Sequence, residues 1–85
     1  MTSQIRRASA SIPANIAEGH SREHTGSFIQ FLRISQGSLK ELETHLIVCA
    51  RVGLLSEAAI SQLLIQTEEI GKMLRSMVRS LQQKL

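Results

Sequence analysis

The chain has 85 residues, 42% of them hydrophobic and 20% charged, a composition typical of one small folded domain. Ten Lys and Arg against seven Asp and Glu give a net charge of +3, a mild excess that favours nucleic acid or an acidic partner if the basic side chains are clustered. With no membrane-spanning apolar run, no signal-peptide core at the N-terminus and one cysteine, Cys49, that cannot form an intramolecular disulfide, the composition predicts a cytoplasmic protein without membrane association.

Hydrophobic periodicity divides the chain into three helical segments separated by short breaks, at about residues 2–19, 27–52 and 56–84. Strand alternation is absent. Because short connections between long helices join antiparallel neighbours, the sequence predicts an all-α fold, an up-and-down antiparallel helical bundle that forms a single domain over residues 1–85.

The breaks between the predicted helices contain residues that are typical of helix ends. Ser27, with Gln30 three residues later, predicts a capping box at the start of the second helix. Gly53 predicts a left-handed residue after the end of that helix, and Ser56 predicts the N-cap of the third.

The first helix has two faces suited to burial, separated by polar side chains. At 100° per residue, one face is formed by Ile5, Ala8, Ile12 and Ile16, and the other by Ala10, Pro13, Ala14 and Ala17. A polar stripe between them consists of Gln4, Arg7, Ser11, Asn15 and Glu18. We therefore expect the first helix to be central in the fold and covered by protein on both sides.

Pro13 lies inside this first helix. A proline removes one backbone hydrogen bond and crowds the carbonyl four residues earlier, here that of Ser9. We expect either a bent helix or two collinear pieces.

In the second helix, Glu41 projects away from the Leu and Phe face, and Gly37 beside it permits close approach of another backbone. A buried carboxylate needs a donor, because leaving it unpaired costs several kcal/mol. We interpret a set of residues on the first two helices as a structural polar network, with catalytic acid/base chemistry and simple solvent exposure as the alternatives: Arg7, Ser11, Asn15, Glu18 and Glu41.

The third helix carries a seam with alternating spacings of three and four residues, typical of helix packing. It consists of Ile60, Leu63, Thr67, Ile70, Leu74, Met77 and Leu81.

Two pairs at i,i+4 spacing, His20 with His24 and His45 with Cys49, would suit zinc on one helix face. The first pair falls in a predicted loop and Cys49 lies on the apolar seam, so we expect no metal site. The absence of Asp excludes a Ser-His-Asp triad, and no nucleophile elbow or glycine-rich phosphate loop occurs. We predict no catalytic residue and no cofactor, and hence that the protein is not an enzyme.

Six basic residues are candidates for contact with nucleic acid: Arg6, Arg7, Arg33, Lys72, Arg75 and Arg79. With no Trp or Tyr and only two Phe, a stacking platform for bases is not expected, so any contact would be to phosphates. The alternative for the basic residues of the third helix is complementarity to the helix dipole, with Glu68 supporting Lys72 at i,i+4.

Two stretches together resemble a known family: TSQIRRASASIPANIAEGHSR, which begins at Thr2, and FIQFLRISQGSLKELETHL, which begins at Phe28. They resemble the bacterial four-helix-bundle proteins encoded in intervening sequences of 23S ribosomal RNA genes. The positions that match the family pattern are Arg6, Arg7, Ser11, Pro13, Asn15, Glu18, Gly19, Gly37, Ser38, Glu41, Glu43 and Thr44.

The resemblance implies a homo-oligomer, typically a pentamer. It also implies kinship with the accessory variability protein of diversity-generating retroelements, in which a basic oligomer engages nucleic acid. Family members usually begin with a further helix ahead of the segment that starts here at Met1, so the three helices would be the second to fourth of a four-helix bundle. We expect a non-enzymatic oligomeric scaffold that binds RNA or DNA through phosphate contacts; the alternative is a protein-protein interaction module with no nucleic-acid role.

Overall fold

A computed structural model describes residues 2–21 and 24–85 and shows three α-helices in these ranges. The first, α1, is Thr2–His20; the second, α2, is Thr25–Arg51; and the third, α3, is Glu57–Gln82. The described ranges contain no strand, so the predicted all-α class is confirmed. None of the helices in the described part of the chain is both long enough and apolar enough to cross a membrane.

The predicted capping box at Ser27 is wrong, because α2 begins earlier in the chain. His24 holds the N-cap position with an extended backbone and makes no side-chain cap hydrogen bond. Its carbonyl accepts the backbone N–H of Phe28 at 3.1 Å, so the first turn closes around Ser27 instead of beginning there.

The break between α2 and α3 agrees with the sequence signals. Gly53 has a positive φ of 76°, which an L side chain adopts only with strain. The Ser56 hydroxyl accepts the backbone N–H of Ala59 at 3.1 Å. The predicted left-handed residue and the predicted N-cap are therefore both confirmed.

The central helix is α2, and the expectation that α1 is central is wrong. α2 packs along both other helices, whereas no described Cα atom of α1 lies within 8 Å of a Cα atom of α3. The apolar face of α1 is covered by α2, and Ala10, Ala14 and Ala17 on the opposite side are exposed. The reason is that α2 carries apolar side chains around enough of its circumference to serve two neighbours, one on each side.

Both helix pairs are antiparallel. Ser11 near the middle of α1 bonds to Ser38, and Gly19 near its end lies against Phe31, so α1 and α2 run in opposite directions. Across the other interface, Gly71 of α3 lies against Leu39, and Ile60, earlier in α3, packs with Leu46 and Cys49, later in α2, so α2 and α3 also run in opposite directions. The predicted up-and-down arrangement is confirmed.

The core forms two clusters along α2. The larger contains Ile12, Ile29, Leu32, Leu39, Leu74 and Val78, and the smaller contains Leu46, Cys49 and Ile60. Pro13 lies on the exposed side of α1. The helix continues without a break through this proline, so the predicted alternative of two collinear pieces is wrong.

The predicted seam of α3 is only half covered. Ile60, Thr67 and Leu74 are buried, but Leu63 and Ile70 on the same seam are 38% and 36% exposed. α2 approaches α3 from one side only, so the part of the seam that points toward α1 has no neighbour.

Candidate functional site

The polar stripe of α1 makes a small hydrogen-bonded cluster where α1 meets α2. The hydroxyls of Ser11 and Ser38 lie 2.7 Å apart. The Asn15 amide donates to the Ser11 hydroxyl at 2.9 Å and to the Ser11 carbonyl at 2.8 Å. All three side chains are partly buried, and none is ionisable. The cluster can fix the register of α1 on α2, but it contains no group that could act as a base at neutral pH.

The charged members of the predicted network lie at the surface. Arg7 Nη2 is 3.9 Å from Glu41 Oε1, and the two side chains are 76% and 47% exposed. The same carboxylate oxygen is 3.4 Å from His45 Nε2. Glu18 is also exposed. The five predicted residues therefore do not form one buried network, because the stripe turns outward at its charged positions and only its short polar side chains face α2.

A further polar group in this interface, Ser35, is not among the residues predicted from the sequence. Ser35 is 0% exposed, and its hydroxyl lies within hydrogen-bond distance of two carbonyls, donating to Ile12 at 3.1 Å and to Phe31 at 3.2 Å. The contact to Ile12 joins α2 to α1. The only signal in the sequence is a serine at an otherwise apolar position of the periodic pattern, which is compatible with a hydroxyl bonded back to its own helix.

Four of the six basic candidates lie on the side of the molecule formed by α2 and α3. Arg75 lines a trough between these helices together with Gln36 and Lys40. Arg33 is one turn before Gln36 on the same side of α2. Lys72 and Arg79 flank Arg75 on α3, and all of these basic side chains are exposed. Arg6 and Arg7 are exposed on α1, away from this group.

The trough between α2 and α3 also contains acidic groups. It has a volume of about 620 Å³, and Glu43 and Glu68 line it beside the basic residues. Lys40 Nζ lies 3.7 Å from Glu43 Oε2. The positive charge within the trough is thus offset locally, and an uncompensated basic surface requires the neighbouring side chains of Arg33, Lys72 and Arg79.

Three of the residues considered as metal ligands are buried or make other contacts. Cys49 is 3% exposed in the core, His45 contacts Glu41, and the His20 ring lies 5.8 Å from that of Phe28. Within residues 2–21 and 24–85, no group of three or more His, Cys or Glu side chains comes together in a way that could hold a metal ion.

An apolar groove lies between α1 and α3, with α2 as its floor. We call it the open groove. Its volume is about 300 Å³. It is lined by Ile5, Ser9, Ile12, Pro13, Leu42, Leu46, Leu63, Gln66, Thr67 and Ile70. None of these side chains is charged. The open groove is the place where the uncovered half of the α3 seam meets the free edge of the α1 apolar face.

A family model described as 23S rRNA-intervening sequence protein matches residues 1–76, which is most of the chain. No curated protein matches the sequence.

Proposed function

This chain belongs to the 23S rRNA-intervening sequence protein family, and we propose that it acts as a non-enzymatic, homo-oligomeric helical scaffold in the cytoplasm. The observation that carries the proposal is the open groove. Leu63 and Ile70 are large apolar side chains that face it and remain more than one-third exposed in the single chain. Contiguous exposed apolar surface of this kind marks an interaction site.

Light scattering on the purified chain tests the assembly. A monomer has a mass of 9.4 kDa, and the proposal expects a stable multiple of that mass at micromolar concentration. A mass of 9.4 kDa that persists as the protein concentration is raised would contradict the scaffold.

We further propose that the assembly binds RNA or DNA through phosphate contacts. Arg33, Lys72, Arg75 and Arg79 support this, because they share one exposed side of the molecule that the open groove does not use. Each copy carries a net charge of +3, so an oligomer multiplies the positive field around it. Phosphate contacts release counterions, and such binding weakens steeply as salt is raised.

The nucleic-acid proposal is tested by titrating a mixed RNA and DNA pool at about 50 and 200 mM salt. Replacing Arg75 and Arg79 together by Ala is expected to reduce the slope of log affinity against log salt by about 2, one for each lost phosphate contact. The matched control replaces Arg51 and Lys84 by Ala, which removes the same charge from exposed positions at the last residue of α2 and beyond the end of α3.

Three results separate the possibilities. Binding that is absent at low salt, or that does not weaken as salt rises, contradicts the phosphate contacts. An equal loss in the double variant and its control shows that only net charge matters. An intact oligomer without nucleic-acid binding leaves the alternative of a protein-protein interaction module.

A further inference from the structure

We propose that nucleic acid contacts only one half of the side formed by α2 and α3, and that Glu43 and Glu68 end its footprint by repelling phosphates. The ligand is the phosphate backbone of RNA or DNA, which crosses the molecule near the end of α3 and does not follow its full length. The inference rests on the proposed phosphate contacts. It adds where these contacts stop and which residues stop them.

Charge is divided along the pair formed by α2 and α3. The two helices are antiparallel, and Leu39 of α2 lies against Gly71 of α3. This contact separates two parts: a basic half, residues 25–40 and 71–82, and an acidic half, residues 41–51 and 57–70. The basic half holds Arg33, Lys40, Lys72, Arg75 and Arg79 and no Asp or Glu. The acidic half holds Glu41, Glu43, Glu57, Glu68 and Glu69, with Arg51 as its one Lys or Arg.

Helix dipoles do not explain this division. A dipole favours positive side chains near the C-terminus of a helix, which accounts for Lys72, Arg75 and Arg79 in the second half of α3. By the same rule Arg33, in the first half of α2, and Glu43, in its second half, are on the unfavourable sides. The division therefore follows the ends of the molecule and not the direction of each helix, as expected for a surface that receives one charged ligand.

The trough between α2 and α3 contains the boundary between the two halves. A Cβ atom added at Gly71 would lie 3.4 Å from Nη1 of Arg75, so this guanidinium lies over the glycine on the basic side of the boundary. Glu43 and Glu68 line the same trough on the acidic side. Lys40, at the boundary, has its Nζ 3.7 Å from Glu43 Oε2. A phosphate that moves past Gly71 thus leaves the guanidinium and meets two carboxylates.

The length of the basic half limits the number of phosphates that it can contact. From Gly71 to Arg79 the helix rises about 12 Å. One strand of a duplex carries a phosphate for each 3.4 Å or so of its axis, so this stretch matches about three or four phosphates. The molecule extends 45 Å along its longest axis. A backbone that followed this axis would place further phosphates beside the acidic half, so the favourable path crosses the molecule instead.

Two neighbouring glutamates test the boundary. Both are exposed, but Glu68 lines the trough whereas Glu69, about 100° further round α3, points away from it. Glu68→Gln is expected to tighten binding to RNA or DNA by about three- to five-fold at about 50 mM salt, because one surface repulsion is removed. Glu69→Gln makes the same change in net charge and is expected to alter the affinity by less than about two-fold.

A second variant tests the boundary from α2. Glu43→Gln removes the other carboxylate and frees Lys40 for a phosphate contact. The slope of log affinity against log salt is therefore expected to become steeper by about 1. Each titration is run separately with RNA and with DNA of the same sequence. A steeper slope with either one supports the boundary and identifies that nucleic acid as the ligand.

Cross-linking tests the position of the ligand without changing any charge. Ser61, Glu68, Arg75 and Gln82 follow one another at seven-residue spacing, so they lie along the same side of α3. Ser61→Cys and Gln82→Cys place thiols at exposed positions in the acidic and basic halves, about 30 Å apart. With a thiol-attached photocrosslinker, bound nucleic acid is expected to cross-link to Gln82→Cys and not to Ser61→Cys. The native Cys49 is buried and gives the baseline.

The outcomes distinguish this inference from the proposed function. A chain that binds neither RNA nor DNA overturns both. Binding that depends on the arginines of α3 but responds equally to Glu68→Gln and Glu69→Gln overturns the boundary and leaves the phosphate contacts, because only net charge then matters. Equal cross-linking from the two cysteine variants also overturns the boundary alone, since the ligand then lies along both halves.

Discussion

Two glycines are expected to change the free energy of unfolding in opposite directions when each is replaced by alanine. The first, Gly19, lies in the contact between the end of α1 and the start of α2. A Cβ atom added at Gly19 would lie 2.7 Å from the Cβ of Phe31 and 2.9 Å from Cδ1 of Phe28. Carbon atoms in contact are normally about 3.5–4.0 Å apart. Phe28 can turn its ring, but the Cβ of Phe31 is attached to the backbone. Gly19→Ala therefore forces α1 and α2 apart.

The magnitude follows from two opposing terms. Replacing glycine by alanine in a helix stabilises the folded state by about 0.5–1 kcal/mol. Overpacking of a close contact costs about 1–3 kcal/mol. We expect Gly19→Ala to lower the free energy of unfolding by about 1–2 kcal/mol and the midpoint of thermal unfolding by about 4–8 °C per kcal/mol.

Gly37→Ala is the matched control. Gly37 lies in the interior of α2, and an added Cβ there meets nothing within 4 Å. Only the helix term applies, so this variant should raise the free energy of unfolding by about 0.5–1 kcal/mol. Urea and thermal unfolding followed by circular dichroism, at one protein concentration for all variants, measures both changes. If both variants gain stability, the close approach of α1 to Phe31 is refuted.

The two parts of the predicted polar network should differ when they are removed separately. Ser11→Ala deletes the hydroxyl shared by Asn15 and Ser38 at a partly buried position and is expected to cost about 1 kcal/mol in urea unfolding. Arg7→Ala deletes an exposed pair with Glu41 at 3.9 Å and should change the free energy of unfolding by less than about 0.5 kcal/mol, so a loss as large as that of Ser11→Ala would contradict a surface location.

The sequence identified residues of the candidate surfaces but not how these residues are arranged in space. The six basic positions were identifiable, yet their division between α1 and the side formed by α2 and α3 depends on how the helices are turned. Glu43 and Glu68, which moderate the positive charge beside Arg75, belong to different helices and meet only in the trough. The lining of the groove could not be identified from the sequence, because its residues come from all three helices.

By itself, the sequence determined the helices and the break around Gly53 and Ser56, because helical periodicity and capping involve residues within about four positions of one another. Only the tertiary structure decided that α2 is central, that Ser35 bonds to the carbonyl of Ile12, and that one half of the α3 seam stays open. The periodic pattern predicts which side of a helix is buried. Which neighbour covers that side, and how far around, depends on contacts between residues distant in the chain.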